Sequence, residues 1–218
     1  MAIFVFDAYG TLFNVHAAIA RFRSQAGPEA DRMSELWRAK QLEYSWTLTL
    51  AGRYADFWVL TERALDYSLT SFPSVDKALR PKLLEAYFKL GAFPDARAAL
   101  RALKTKGHKT GILSNGSPNM LKGAIDAANV GGDLDAVLSV DSLKMFKPRP
   151  EVYGLVTDHY QCNPAEVTFV SSNRWDVMAS VSVGFRGLWI NRGKLPDEYF
   201  DFPPRQELAD LNELAAFD

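Results

Sequence analysis

Five short apolar runs, separated by stretches of helical periodicity, organise this chain. Residues 2–6 (AIFVF) carry no polar side chain and end at Asp7, as a strand does when both faces of its sheet are covered. Comparable runs follow at 109–113 (KTGIL), 136–140 (AVLSV), 167–170 (VTFV) and 187–190 (GLWI). The alternation predicts an α/β fold with a Rossmann-like, doubly wound parallel sheet. Between the first and second runs, roughly 80 residues show helical patterns and no strand signal, far more than one crossover requires. Segments 15–25, 29–50, 53–70 and 78–90 read as helices, punctuated by Gly27-Pro28, Gly52 and Phe72-Pro73. An inserted helical cap over 15–92 is therefore expected, with a core formed by 1–14 and 93–218. Asp95 is expected to cap a helix that runs through Lys106.

Three of the runs end in compact polar clusters: Asp7-Ala8-Tyr9-Gly10-Thr11, Ser114-Asn115-Gly116-Ser117 and Ser171-Ser172-Asn173-Arg174-Trp175-Asp176. In an open parallel sheet the carboxyl ends of the strands share one edge, and ligands bind in the crevice outside it. Taken singly, each cluster is ordinary turn chemistry; together they mark one site. Asp7 ends a buried strand, where a carboxylate needs donors and cations around it. Gly10 lets the loop turn back and Thr11 offers a hydroxyl. Spacing alone leaves two readings, a reactive carboxylate or one that caps the next turn. Lys147, before Pro148 and near Tyr153, is by itself an ordinary exposed charge. Arg38, Leu42 and Trp46 are spaced by four and share one helical face. That arginine either snorkels or points into a cleft between cap and core.

The formal charge of −1 and pI of about 6.3, with Lys and Arg scattered, supply no field for nucleic acid or anionic lipid. A small-molecule partner is expected. Cys162, the single cysteine, cannot form an intramolecular disulfide, and MAIFVFDAYG has no basic n-region. A cytoplasmic setting follows, and no apolar stretch approaches the roughly 20 residues of a membrane helix. His16, His108 and His159 lie outside the clusters without metal-ligand spacing.

FDAYGTLF (6–13), LWRAKQLEYSW (36–46), GRYADFW (52–58), ILSNGSP (112–118), FKPRPEVY (146–153) and FVSSNRWD (169–176) together resemble the L-2-haloacid dehalogenases, a type within the superfamily of haloacid dehalogenase-like hydrolases. The resemblance implies an (S)-2-haloacid dehalogenase that converts short L-2-haloalkanoates to (R)-2-hydroxy acids and halide through an aspartyl ester, without a cofactor. Magnesium-dependent phosphatases of the superfamily carry an Asp two residues after the nucleophile, where this chain has Tyr9, and an Asp ligand where it has Ser172. Asp7 and Asp176 alone furnish an octahedral oxygen site poorly, so no metal is expected. By residue-wise matching the catalytic set is Asp7, Thr11, Arg38, Ser114, Lys147, Tyr153, Ser171, Asn173 and Asp176. Asp7 is the nucleophile, and Lys147 and Asp176, with Ser171 and Asn173, handle the hydrolytic water. Arg38, Asn115 and Phe57 would receive the halide. Ser114, Lys147 and loop amides would hold the substrate carboxylate, and Tyr9, Leu42, Phe57 and Trp175 would wall the alkyl group. A homodimer is also implied. Arg174 stands where the family commonly has a small residue, and 177–180 (VMAS) lacks the usual glycine. The competing readings are a phosphatase or phosphomutase on the same fold, and a small-acid binding module without turnover.

Overall fold

The computed structural model describes residues 1–217. The five apolar runs become β1 (Ile3–Phe6), β2 (Lys109–Ser114), β3 (Ala136–Ser139), β4 (Val167–Ser171) and β5 (Arg186–Ile190). A further strand, β6 (Gln206–Leu208), was not expected. It is three residues long at the sheet edge with only Leu208 buried, so it leaves no apolar run to read. All neighbours pair in parallel in the order β3-β2-β1-β4-β5-β6. β1 is central, with Val5 level with Gly111 on one side and Phe169 on the other. Successive strands spread first to one side of β1 and then to the other, so the switch of direction falls between β1 and β4. The crevice beyond Asp7 and Ser171 lies at that switch, where open α/β sheets bind ligands.

Helices α1 (Ala17–Ala20), α2 (Arg23–Ala26), α3 (Ala30–Leu50), α4 (Phe57–Ser71), α5 (Arg80–Phe88) and α6 (Ala96–Thr105) lie between β1 and β2; α7 (Pro118–Ala128), α8 (Pro150–Tyr160) and α9 (Arg174–Ser182) complete the crossovers. Three expectations need correction. The helix expected over 15–25 is two short ones, broken at Phe22, whose φ of −115° and ψ of 20° leave the helical region. The helix expected from 53 begins at Phe57, because Asp56 caps it by accepting the Trp58 amide at 2.7 Å. Asp95 precedes α6 but makes no side-chain cap bond; its carboxylate accepts instead from Arg192 at 2.6 and 3.0 Å and from the Leu211 amide at 2.8 Å.

The chain leaves and re-enters the sheet region side by side. Phe13 bridges Ala92, and the Phe93 amide donates to the Leu12 carbonyl at 2.8 Å. Helix α3 carries two adjacent stripes. Met33, Trp37, Gln41 and Ser45 are buried against other helices, whereas Arg38, Leu42 and Trp46, each one position on, are half-buried and face the sheet edge. Tyr54, just before α4, donates to Asp141 at 2.6 Å and stacks on Phe146 at 5.1 Å, and Thr49 accepts the Phe146 amide at 3.1 Å. Among the described residues no helix is long and apolar enough to cross a membrane.

Candidate active site

Asp7 is the centre of a buried hydrogen-bond network built from the first and third polar clusters together with Lys147 and Tyr153. One carboxylate oxygen accepts from the Lys147 ammonium at 3.2 Å. The other accepts from the Thr11 hydroxyl at 3.1 Å and the Asn173 amide nitrogen at 2.8 Å. Gly10, with φ of +97°, supplies the turn that returns Thr11 beneath Asp7, a conformation that side chains with Cβ resist. The Thr11 oxygen also accepts the Ser172 amide at 2.8 Å, tying the first loop to the third.

Lys147 is 1% exposed and reaches Asp176 as well, at 2.8 Å. Asp176 accepts from Tyr153 at 2.5 Å and lies at a long 3.5 Å from the Ser171 hydroxyl. Ser171 in turn accepts the Asn173 amide at 3.0 Å. Complete burial raises the Asp176 carboxyl to about 6, opposed by Lys147 and reinforced by the nearby Asp7 charge. Burial, then the Asp176 charge, pushes the Tyr153 hydroxyl well above its ordinary range, so it stays a donor. One ammonium between two carboxylates gives this cluster a net negative charge, and its stability depends on the neutral donors around it.

The opposite wall comes from the helices inserted between β1 and β2. Arg38 donates to the Gln41 side-chain oxygen at 2.8 Å and to the Tyr9 carbonyl at 3.0 Å. Neither partner is charged, and among the described residues Arg38 makes no ion pair. Its field is still felt: burial, then Arg38, holds His16 below its ordinary range. Gln41 is oriented from behind, since its amide nitrogen donates to Thr61 at 2.6 Å and its oxygen also accepts from Tyr87 at 3.1 Å. Thr61 donates to the Phe57 carbonyl at 2.8 Å, so it can only accept from Gln41. Gln41, Thr61 and Tyr87 escaped the sequence reading. Gln41 stands three residues from Arg38 on one face, which is the signal that could have found it; the other two are brought in by packing.

Asp7, Tyr9, Arg38, Leu42, Phe57, Ser114, Asn115 and Trp175 converge on one cavity. It leaves about 10 Å³ of free space, room for about one water molecule. Asn115 accepts the Lys147 amide at 2.9 Å through its oxygen, which leaves its NH2 group as the donor on the cavity side. Tyr9 stacks on Tyr87 at 5.9 Å and lies 6.4 Å from Phe57. Its ring packs so closely over Gly116 that a Cβ there would come within 2.6 Å. Burial, with Tyr87 adding to it, raises the Tyr9 hydroxyl well above its ordinary range. Thr11, Lys147, Tyr153, Ser171, Asn173 and Asp176 do not line the cavity; they support Asp7 from behind. Arg174, flagged as a departure, is buried and turned away, paired with Asp197 at 2.6 Å. His108 and His159 lie apart, His108 accepting the Ala2 amide at 3.1 Å. Among the described residues no group of three or more His, Cys, Asp or Glu could hold a metal ion.

This architecture has relatives. Residues 1–184 match the family of haloacid dehalogenase-like hydrolases. The chain is 49% identical over 211 residues to (S)-2-haloacid dehalogenase 1 of Pseudomonas sp. strain CBS-3, covering 96% of this chain and 93% of that protein. A solved dehalogenase structure superposes with TM-score 0.97 at 43% identity, covering all of this chain and 97% of that one. The L-2-haloacid dehalogenase of Xanthobacter autotrophicus with chloropropionic acid covalently bound superposes with TM-score 0.89 at 34% identity, covering 99% of this chain and 97% of that one.

Proposed function

Because the chain belongs to the haloacid dehalogenase-like hydrolases, we propose that it is an (S)-2-haloacid dehalogenase, releasing halide and an (R)-2-hydroxy acid from short L-2-haloalkanoates. One observation carries the reading beyond kinship: Arg38, a cation that among the described residues pairs with no carboxylate, shares a small, largely apolar-walled cavity with Asp7. Displacement of halide develops negative charge on the leaving atom, and a preorganised cation at that place lowers the barrier.

In the first step an Asp7 oxygen forms a bond to C2 as the carbon–halogen bond breaks, the electron pair leaving with the halide toward Arg38, the Asn115 amide and the edge of Phe57. Halide needs no proton, so the absence of a second carboxylate at Tyr9 costs nothing. Ser114 and neighbouring amides receive the substrate carboxylate, while Tyr9, Leu42, Phe57 and Trp175 exclude bulk water from the attacking carboxylate. In the second step water attacks the Asp7 carbonyl carbon and gives its proton to Asp176. The acyl carbon–oxygen bond then breaks as Asp176 returns that proton to the departing alkoxide oxygen, releasing the hydroxy acid, and the second water proton passes from the re-formed Asp7 carboxyl to solvent, restoring the carboxylate. Lys147, within 3.2 Å of Asp7 and 2.8 Å of Asp176, balances charge on the ester carbonyl oxygen as it develops. Thr11 and Asn173 hold Asp7, and Tyr153 and Ser171 hold Asp176.

The ammonium between the two carboxylates supports a metal-independent reaction, because it occupies the place of a bridging cation. The reading extends to a homodimer; sedimentation is its check. The decisive assay is halide release from L-2-chloropropionate with EDTA present, beside the D enantiomer and Asp7→Asn. Metal-independent release from the L acid alone, abolished in the variant, is expected. Turnover only of phosphate esters with added magnesium would overturn the reading.

A further inference from the structure

The closed catalytic cavity has a larger neighbour that shares its Trp175 wall. This second cavity, about 340 Å³, lies between Trp46, Thr49 and Leu50 of α3 and Lys147–Pro150, Trp175, Met178 and Tyr199 of the sheet side. Its lining is dominated by aromatic, aliphatic and proline surface. The Trp46 and Trp175 rings meet edge to face at 5.4 Å, so Trp175 is the partition between the two spaces.

One wall depends on an irregular segment. From 191 to 205 the chain crosses the surface with no helix or strand, a length at which loops without structure of their own are usually functional. Its ends are fixed: Arg192 pairs with Asp95 at 2.6 Å, and the Arg205 amide donates to the Gly187 carbonyl at 2.8 Å. Its early part is held by Asn191, whose side chain bonds both the amide and the carbonyl of Leu195. Its middle is held by Arg174. That guanidinium, its side chain 4% exposed, donates to Asp197 at 2.6 and 3.2 Å, to the Tyr199 carbonyl at 2.8 Å and to the Phe202 carbonyl at 2.9 Å. It also lies over the Trp189 and Tyr199 rings at 5.7 and 5.5 Å. A planar fork that satisfies a carboxylate and two carbonyls at once is a task lysine cannot reproduce. Arg174 directly precedes Trp175, so one residue fixes the strap that carries Tyr199 and the start of the helix turn that carries the partition.

Building on the dehalogenase reading, we propose that this cavity is a binding site for the alkyl tails of straight-chain 2-haloalkanoates longer than three carbons, and that Arg174 is the positioning residue that builds its outer wall. The cavity at Asp7, about 10 Å³, must widen even for a three-carbon acid, and the larger space adjoining it at Trp175 is where further chain length can go. The tail passes the edge of Trp175, and the cavity beyond offers it apolar surface from Trp46, Met178 and Tyr199. Asp176 is held separately by Lys147 and Tyr153, so the strap governs which acids bind more than the chemistry on them.

The test compares kcat/KM for L-2-chloropropionate and L-2-chlorohexanoate in the wild type, Arg174→Ala, Arg174→Lys and Tyr199→Ala. The ratio of the long acid to the short acid should fall at least tenfold in Arg174→Ala and Tyr199→Ala, through KM of the long acid, with Arg174→Lys failing to restore it. A merely structural role would lower both substrates together and leave the ratio unchanged, which would overturn the proposal. Should Arg174→Ala not fold, Tyr199→Ala carries the same comparison. A wild type that turns over the short acid but neither turns over nor is inhibited by the long one also overturns it. Absence of halide release from either acid would sink the dehalogenase reading first and this proposal with it.

Discussion

The two walls of the catalytic cavity handle charge in opposite ways. On the sheet side, Asp7, Lys147 and Asp176 bond to one another and to four further side chains, so every charge there has a charged partner. On the helical side the cation is Arg38, held among the described residues by a side-chain amide oxygen and a peptide carbonyl. A guanidinium answered by a carboxylate would have its field cancelled locally; one held by neutral dipoles keeps it for the ligand. The sheet wall is thus suited to covalent chemistry and proton movement, and the helical wall to a departing anion. Separate supports allow the two to be broken separately.

Replacing Asp176, the base in the proposed mechanism, should have the largest effect and leave the first step standing. In Asp176→Asn, Asp7 still has Lys147, Thr11 and Asn173, so alkylation proceeds and the ester accumulates. Steady-state halide release should fall at least ~10³-fold, in the upper part of the range typical of a lost general base, because the intermediate has no other exit. A burst of halide and a stable mass increase on the peptide containing Asp7 are expected; retention of turnover within tenfold would sink the assignment of Asp176. Arg38→Ala should fail earlier, with kcat lowered by about 10² to 10³, the range for losing one donor aimed at developing charge. No ester should accumulate in that variant, and intact mass spectrometry under turnover reads the difference directly.

Acid should imitate the first of these losses in the wild type. The Asp176 carboxyl, raised to about 6 chiefly by burial, takes up a proton as pH falls through that value and ceases to accept one from water. In the ester Asp7 no longer carries the charge that helps to raise Asp176, so deacylation slows below a value lower than that of the free enzyme, and the fraction of enzyme held as ester rises as pH falls. Rapid acid quench along a pH series measures that fraction; a level that falls or stays flat would exclude Asp176 as the titrating base.

The sheet wall was far more legible in the sequence than the helical wall, and the reason is physical. A buried parallel strand is largely apolar, so its carboxyl end is marked where polar residues begin to cluster, and Asp7, Ser114 and Ser171 each open such a cluster. Topology then brings those ends together whatever the side chains are. Helices inserted over the edge obey no such rule. Spacing by four put Arg38, Leu42 and Trp46 on one face, but nothing local announces that Gln41 will meet Thr61 from α4 and Tyr87 from α5. Asp95 and Arg174 carry the same lesson. Asp95 sits where local pattern suggested a cap and Arg174 stands within a cluster of site residues, and each is claimed by a partner outside its own segment, Arg192 and Asp197.

Gln41 offers the finest way to separate holding Arg38 from keeping its charge unspent. Gln41→Leu is close in volume but removes an acceptor from both Arg38 and Tyr87; leaving a buried donor unanswered costs about 1–3 kcal/mol of stability, and a loosened guanidinium should lower kcat roughly tenfold, less than the loss of a donor outright. Gln41→Glu holds Arg38 more firmly, as a charge-assisted bond 2.8 Å long in the parent geometry would become an ion pair. If position were all that mattered, this variant should match or exceed the wild type. We expect it instead to fall below Gln41→Leu in kcat, because the new carboxylate cancels the field that receives the halide. Halide affinity, read from product inhibition by chloride or bromide, should weaken in the same order, and an active Gln41→Glu with undiminished halide inhibition would show that the neutral setting of Arg38 is incidental.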